Sequence, residues 1–311
     1  MNFYKFLIIF LLSIFSFANI LYALDNKIVL KIENNIVTSL DIKNEIKYLK
    51  ALNPKIKDLN DKEIFKVSKN SIIREKIKEI EILKNVKTIE LEKKYLEQLI
   101  QSRYKSLGLE TRDQFVEYLK QQNTKIETIS KKITIEAVWN QLIYSKFSYK
   151  IKISEDNLKK KILADKEKNM SKEFLLNELV FNIGEGSNLE DKYQTIQKSI
   201  KDIGFENTAS TYSISDTAKS GGSLGWIEEN SLNAKIKKQI INLKLNEYTK
   251  PITLPGGFLV LQLMDMKKTK RKVDVNTELN KAINFETNRQ LNQFSNIYYN
   301  KIKREMTIDV Y

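Results

Sequence analysis

The glycines of this 311-residue chain are confined to one region, since all of them except Gly108 lie between Gly184 and Gly257. Glycine adopts backbone angles that other residues avoid, so a cluster of glycines is typical of turns and close backbone approaches. Segments with the composition of β-strands fall in or beside the same region, at 174–181, 248–253 and 258–264. We therefore predict an α+β protein in which residues 171–266 form a separate domain.

Apolar residues at helical spacing predict helices on both sides of this domain. The predicted helical segments are 61–147, 155–168 and 276–304. Thr111 with Gln114 and Thr124 with Glu127 fit the capping-box pattern. Each pair therefore predicts the start of a helix within the first of these segments.

The two ends of the chain are predicted to meet. Residues 27–38 have the pattern of two short strands joined by a tight turn at Asn34 and Asn35, because asparagine tolerates the positive φ of such turns. Residues 306–311 alternate as a terminal strand, and a lone strand needs a partner. Pairing with the hairpin would join 24–170 and 267–311 into one helical domain, into which 171–266 is inserted.

The net charge changes at the same boundaries. The chain carries a formal net charge of +14, yet the net charge of residues 171–266 is −2, against +10 for 24–170 and +5 for 267–311. The basic residues are 47 Lys and only 6 Arg, whereas nucleic-acid readers favour Arg for bidentate contacts. We therefore interpret the charge as a sign of domain organisation and expect no nucleic-acid partner.

Cysteine and histidine are both absent from the chain. Their absence excludes disulfides, zinc sites built from Cys or His, and Ser–His–Asp or Cys–His catalysis. A metal site would need oxygen ligands alone. We expect neither a metal nor a cofactor.

Residues 1–23 have the organisation of a secretory signal peptide. Lys5 supplies a positive charge, an apolar stretch runs from Phe6 to Phe17, and Ala23 offers a small residue for cleavage. An uncleaved membrane anchor is the alternative, although the apolar stretch is short for a span. We expect cleavage near Ala23 and export of the mature protein to the periplasm.

The most informative motif runs from Thr211 to Trp226 and reads Thr-Tyr-Ser-Ile-Ser-Asp-Thr-Ala-Lys-Ser-Gly-Gly-Ser-Leu-Gly-Trp. Gly221 and Gly222 allow the loop to fold back beneath a pocket, and Gly225 allows the next strand to pack closely. The pocket itself would be of a size for a proline ring. Its predicted lining residues are Leu232, Ile236, Phe258 and Leu259. Ordinary core packing is the alternative for each of them, and for Phe258 it is the favoured interpretation.

The motif resembles that of the parvulin-type, PpiC-like peptidyl-prolyl isomerases, in which Tyr-Ser precedes a short loop and Gly-Gly-Asp-Leu-Gly-Trp. Three further segments match the family in order, namely 177–180, 245–251 and 256–260. The resemblance covers 171–266. It implies a small antiparallel sheet flanked by helices that binds Xaa-Pro segments of proteins.

The flanking residues 25–165 and 275–311 resemble the chaperone domain of SurA-type periplasmic folding factors. In that family a helical module is completed by a C-terminal helix and strand. The resemblance implies a folding factor whose partners are unfolded or nascent envelope proteins, with a role in the assembly of outer-membrane proteins.

The resemblance also assigns the candidate catalytic positions. Asn177 and Leu259 stand where active parvulins place two His residues across the pocket floor, and Ser215 stands at the family's Cys or Asp position, with Asp216 beside it. Trp226 is added as a substrate contact. Because prolyl isomerisation breaks no covalent bond, apolar walls can still lower its barrier by desolvation. Loss of the polar floor nevertheless predicts weak or no turnover with peptide binding retained.

Two other functions remain open from the sequence. The first is a catalytically competent isomerase that acts on exported proteins. The second is an adaptor at the membrane surface, whose basic helices would bind anionic lipid.

Overall fold

The computed structural model describes residues 26–166, 170–183, 188–270 and 274–311. The signal peptide expected at 1–23 lies outside the described residues. Within these four ranges, no helix is both long and apolar enough to span a bilayer.

The N-terminal part of the chain is a hairpin followed by helices. Its elements are β1 (Ile28–Ile32), β2 (Asn35–Thr38), α1 (Ser39–Leu52), α2 (Asp61–Leu83), α3 (Lys93–Ser106), α4 (Arg112–Gln121), α5 (Ile126–Phe147) and α6 (Glu155–Lys166). The hairpin turn lies one residue earlier than predicted, because Glu33 takes the positive φ of 50° and Asn35 already belongs to β2.

The two predicted capping boxes have different outcomes. Thr111 caps α4, where its side chain accepts a hydrogen bond from the backbone N–H of Gln114. The prediction for Thr124 is wrong, because α5 is capped at Lys125 without a side-chain hydrogen bond. The Thr124 N–H instead bonds the carbonyl of Leu119 at the end of α4.

The central segment, residues 170–270, is an antiparallel sheet with helices on both faces. Its elements are β3 (Met170–Phe181), α7 (Leu189–Ile203), α8 (Phe205–Tyr212), β4 (Ser223–Glu228), α9 (Ala234–Ile240), β5 (Ile252–Leu254) and β6 (Gly257–Lys270). The strand order is β4-β3-β6-β5. The predicted strands at 174–181 and 258–264 extend further, and Tyr248 contributes an isolated bridge to Gln262.

Successive side chains of β3 and β6 point to opposite faces of this sheet. Leu179 and Phe181 belong to a core with Phe205 of α8. Leu176 and Val180 belong to a second core with α9. A shift of one residue along β3 therefore exchanges one environment for the other.

The chain ends with the long helix α10 (Val275–Glu305) and strand β7 (Ile308–Val310). Strand β7 pairs antiparallel with β1, with Leu30 opposite Val310 and Ile32 opposite Ile308. The predicted pairing of the two chain ends is therefore confirmed. The exact division of the chain into domains at 24–170, 171–266 and 267–311 stays a prediction.

Both chain ends also contribute to one hydrophobic core. This core joins Ile32 of β1, Ile77 of α2, Trp139 of α5 and Tyr299 of α10. The indole Nε1 of the fully buried Trp139 donates a hydrogen bond to Ser295 Oγ at 2.8 Å, so the polar edge of the ring is satisfied. The architecture is α+β, as predicted.

Candidate functional site

A cavity of about 280 Å³ lies between the central sheet and helix α10. The sheet side and α9 supply an apolar floor, formed by Leu176, Val180, Leu224, Ile227, Leu232, Ile236, Leu254, Leu259 and Leu261. Helix α10 supplies the opposite wall, which is mainly polar and contains Phe285, Glu286, Asn288, Arg289, Asn292, Gln293 and Asn296. An apolar floor facing amide groups can hold a chain segment that offers both apolar side chains and a polar main chain.

Glu178 places a carboxyl group on the floor of this cavity. Ser215 Oγ donates a hydrogen bond to Glu178 Oε1 at 2.5 Å, and Thr217 Oγ1 donates to the same oxygen at 2.8 Å. Burial raises the pKa of Glu178, the two hydroxyl donors oppose the rise, and the nearby Asp216 carboxylate adds to it. The carboxyl is therefore shifted toward the neutral form, which has an O–H to donate.

The placement of Glu178 corrects the expectation for Asn177. Leu176, Glu178 and Val180 line the cavity, and Asn177 occupies the intervening position and does not. Side chains alternate along a strand, so a shift of one residue moves a side chain to the other face. Glu178 therefore supplies the polar side chain that this part of β3 brings to the floor, where Asn177 was expected.

The two adjacent glycines bring their loop directly against β3. Gly221 and Gly222 have φ of +67° and +83°. A Cβ on Gly222 would lie 2.1 Å from the carbonyl oxygen of Glu178, and the Glu178 N–H donates to the Gly222 carbonyl at 2.7 Å. Gly225 has φ of +73° but open space around it, so only its backbone angle calls for glycine.

The remaining predicted contacts divide between the two faces of the sheet. Leu232, Ile236 and Leu259 line the cavity. Phe258 does not, because it alternates with Leu259 along β6 and packs on the other face against Phe181, with ring centroids 5.7 Å apart.

Trp226 also lies away from the cavity floor. It alternates along β4 with Ile227, which lines the cavity whereas Trp226 does not. Its side chain is 39% exposed, and the Nζ of Lys267 lies 4.2 Å from the ring centroid. Trp226 therefore does not line the cavity, and its role as a substrate contact stays a prediction, whereas the core packing favoured for Phe258 is what the structure has.

Asp216 points away from the cavity and toward the helices. Its Oδ1 accepts a hydrogen bond from the Lys78 Nζ at 2.5 Å, and the same ammonium bonds Glu136 at 2.7 Å. Lys219 forms a second ion pair with Glu136. The expectation that Asp216 belongs to the cavity is corrected, since it connects the loop to α2 and α5.

These ion pairs keep their charges despite burial. Burial alone would raise the pKa of Glu136, but Lys219 and Lys78 hold it well below its usual range. Burial alone would lower the pKa of Lys219, but Glu136 raises it above its usual value. The pair is therefore ionised across the pH range in which proteins fold.

Helix α2 also holds the loop through its main chain. The Arg74 guanidinium donates to the carbonyl of Ser215 at 2.9 Å and to the carbonyl of Ser213. The Ser215 hydroxyl in turn bonds Glu178 in the cavity. The helical part of the chain thus determines where the polar end of the cavity floor lies.

Comparison with known proteins identifies the central segment. Residues 181–265 match the family model for the rotamase described as the PPIC-type PPIASE domain. The chain therefore contains a PPIC-type peptidyl-prolyl isomerase domain, which confirms the resemblance found in the sequence.

About half of the chain is similar to the SurA chaperones. Chaperone SurA of Pseudomonas putida is 25% identical over 167 residues, which are 50% of this chain and 38% of the relative. Chaperone SurA of Pseudomonas fluorescens is 24% identical over 165 residues, with 50% of this chain and 39% of the relative covered. The matched region thus spans well under half the length of these relatives.

Among solved structures, one of the two related SurA-like chaperones of Campylobacter jejuni, PEB4 and Cj1289, covers 92% of this chain and 99% of its own at 16% identity, with a TM-score of 0.36. PrsA from Bacillus subtilis covers 90% of this chain and 93% of its own at 15% identity, with a TM-score of 0.29.

Two parts of the site were not predicted from the sequence. Glu178 was missed although the two-residue period of β3 places it with Leu176 and Val180. The polar wall was missed because nothing local in the sequence shows that α10 lies across the cavity.

Proposed function

We propose that this chain is an exported folding factor of the periplasm that binds segments of unfolded envelope proteins, outer-membrane proteins among them. The observation that carries the proposal is the cavity beneath α10, where an apolar floor faces a wall of amides. Such a lining suits an unfolded segment, because its exposed main chain needs hydrogen-bond partners. The similarity to the SurA chaperones supports the same function.

We also propose that the prolyl isomerase activity of the PPIC-type domain is weak or absent. Rotation about a peptide bond has a barrier of about 18–20 kcal/mol, which a site lowers by holding the twisted form better than the planar forms. The chain has no His, and Leu259 supplies an apolar side chain to the floor. Desolvation by apolar walls remains, but few polar groups are left to favour the twisted form.

Glu178 favours one alternative, a catalytically competent isomerase. A neutral carboxyl on the floor could donate a hydrogen bond to the prolyl nitrogen as the bond twists, because that nitrogen becomes basic when resonance with the carbonyl is lost. The raised pKa of Glu178 supports this role, and the hydroxyl donors Ser215 and Thr217 would hold the group in place.

Two assays on the full chain test the proposal together. The first measures suppression of aggregation when an unfolded outer-membrane protein is diluted out of denaturant. The second is a protease-coupled isomerase assay on Xaa-Pro peptides. We expect suppression of aggregation with turnover near the uncatalysed rate, whereas turnover typical of parvulins, abolished by Glu178→Ala, would establish the alternative.

A pair of double variants tests the assignment of the floor. Glu178→His with Leu259→His places two imidazoles on the cavity floor and should raise isomerase turnover. Asn177→His with Leu259→His is the matched control, because Asn177 does not line the cavity. Circular dichroism must first show that both variants are folded, and an equal gain in both would contradict the assignment of Glu178.

A further inference from the structure

Helix α10 carries an asparagine at every fourth position along almost its whole length. The seven residues are Asn276, Asn280, Asn284, Asn288, Asn292, Asn296 and Asn300. All lie within the helix, which spans Val275–Glu305. Asparagine is a poor helix former because its side chain competes for backbone hydrogen bonds. Helix stability therefore does not account for the repeat.

The repeat places part of the row against the cavity. A step of four residues turns about 40° further around a helix than a full turn, so the row winds slowly around α10. Three successive members, Asn288, Asn292 and Asn296, line the cavity, with Gln293 beside them. The three members before Asn288 are exposed and lie outside the cavity lining.

The contacts of α10 fix which side of the helix faces the floor. Gly256, in the turn between β5 and β6, has φ of +91°, and a Cβ there would lie 2.9 Å from Ile297 Cγ1. On another side of the helix, the side chain of Gln290 donates to the carbonyl of Lys152 at 2.8 Å. Contacts on both sides hold the helix in one rotation about its axis.

The amides that face the cavity are available for a ligand. Among the residues that the structure describes, none of the side chains of Asn288, Asn292, Asn296 and Gln293 has a hydrogen-bond partner. Glu286 and Arg289 on the same helix, by contrast, are paired with each other at 2.5 Å. A side-chain amide offers donors and an acceptor, the same pairing that a peptide group needs.

The spacing of these amides matches an extended polypeptide. Four residues of α-helix rise about 6.0 Å, and two residues of extended chain rise about 6.6 Å. Three asparagines in the row therefore span about 12 Å, against about 13 Å for the corresponding length of strand. Successive asparagines can each meet a peptide group on the same side of a bound segment.

We propose that Asn288, Asn292 and Asn296 bind the main chain of an extended client segment while its apolar side chains enter the floor below. The inference rests on the proposed function of the cavity as a binding site for unfolded segments, and it names what that site recognises. The site would recognise any extended segment that carries apolar side chains, so the segment need not contain proline.

The first test compares two triple variants of the full chain. Asn288→Ala, Asn292→Ala and Asn296→Ala are combined in one, and Asn276→Ala, Asn280→Ala and Asn284→Ala in the other. Both exchange three asparagines for alanine at four-residue spacing on the same helix, so the gain in helix propensity is matched. The probe is a labelled, proline-free peptide of alternating leucine and serine, and its affinity is measured by fluorescence anisotropy.

We expect the cavity triple to bind the peptide at least about tenfold more weakly than the wild type, since each lost hydrogen bond to the main chain weakens binding. The control triple should bind like the wild type. Equal affinities of the two triples, with the wild type binding well, would overturn this inference and leave the proposed function standing. Stronger binding by the cavity triple would also overturn it, because the amides would then hinder entry.

The second test removes hydrogen-bonding groups from the peptide. Ester replacements along the same peptide remove main-chain N–H donors and keep the side chains. We expect them to weaken binding to the wild type and to the control triple, and to have no further effect on the cavity triple. If the wild type binds the peptides with and without ester replacements equally tightly, recognition of the main chain is contradicted. A wild type that binds no unfolded peptide at all would overturn both this inference and the proposed function.

Discussion

The carboxylate of Asp216 lies 2.5 Å from the ammonium nitrogen of Lys78, so the loop beside the cavity is joined to helix α2 by a charged contact. The Lys78 side chain is 2% exposed, and it also bonds Glu136 at 2.7 Å. A buried cation with two carboxylate partners holds the helical part and the PPIC-type domain in one arrangement.

Removing this cation should destabilise the protein strongly. In Lys78→Met the carboxylates of Glu136 and Asp216 lose a partner, and breaking a buried ion pair on one side costs about 3–5 kcal/mol of unfolding free energy. Because the Asp216 side chain is 40% exposed, we expect the loss of unfolding free energy to lie at the lower end of this range. Urea unfolding followed by circular dichroism measures it.

The matched control is Lys84→Met, at the residue that caps the C-terminal end of the same helix. The Lys84 side chain is 60% exposed and forms a surface pair with Glu81 at 3.1 Å, which contributes about 0–1 kcal/mol. Equal urea midpoints for the two variants would show that the buried contact does not hold the structure together.

Glu178 should make stability depend on pH. Burial raises its pKa in the folded protein above the ordinary value of 4.5, so the folded state keeps the proton to a higher pH than the unfolded chain does. Its contribution to stability is therefore greatest below about pH 4.5 and is lost as the pH rises through the raised pKa. Glu178→Gln keeps an oxygen acceptor for Ser215 and Thr217 but cannot ionise.

We expect Glu178→Gln to match the wild type near pH 4 and to be the more stable of the two near pH 8, measured as Tm across pH. Glu173→Gln on the same strand is the control, because that carboxylate forms a partly exposed pair with Lys267 at 3.1 Å. The prediction fails if the difference between Glu178→Gln and the wild type does not change with pH.

The two loop glycines Gly222 and Gly225 should respond differently to alanine. Both have positive φ, so each alanine carries a conformational cost of about 1–2 kcal/mol. Only at Gly222 would the new Cβ also collide with backbone, at 2.1 Å from the Glu178 carbonyl oxygen, whereas nothing lies within 4 Å at Gly225. Gly222→Ala should therefore lower the thermal midpoint much further than Gly225→Ala, and similar midpoints would contradict the close approach.

The apolar floor should contribute to peptide affinity. Leu232→Ala removes three carbons from the cavity lining, which corresponds to about 2 kcal/mol of lost burial if a client side chain rests there. We expect roughly tenfold or more weaker binding of an apolar peptide by anisotropy. Leu245→Ala removes the same atoms from a side chain that is 53% exposed, and it should leave affinity unchanged.

The sequence determined the parts of this structure that depend on local pattern. The α+β class followed from the distribution of glycine and apolar residues, and the pairing of β7 with β1 followed because a terminal strand needs a partner. The position of Asn177 away from the cavity was not predicted, because a motif match aligns residues without showing which face of a strand they occupy. The direction of Asp216 depends on Lys78, which is 138 residues away.

The polar wall shows a different limit. The four-residue repeat of asparagine in α10 is visible in the sequence. The repeat alone does not show what these asparagines face, because the sequence does not show which element packs against the helix. Only the tertiary packing places Asn288, Asn292 and Asn296 over the cavity.

The pairing of β1 with β7 has a consequence for when the molecule can begin to work. Every strand of the PPIC-type sheet lies within residues 170–270, so the floor of the cavity is built from one continuous part of the chain. The opposite wall belongs to α10, and the strand that follows α10 pairs with β1, which lies more than 270 residues earlier. Contacts between such distant residues form slowly. We therefore expect the floor of the cavity to form before the wall is fixed in place, and a chain truncated before α10 would have the floor without the wall.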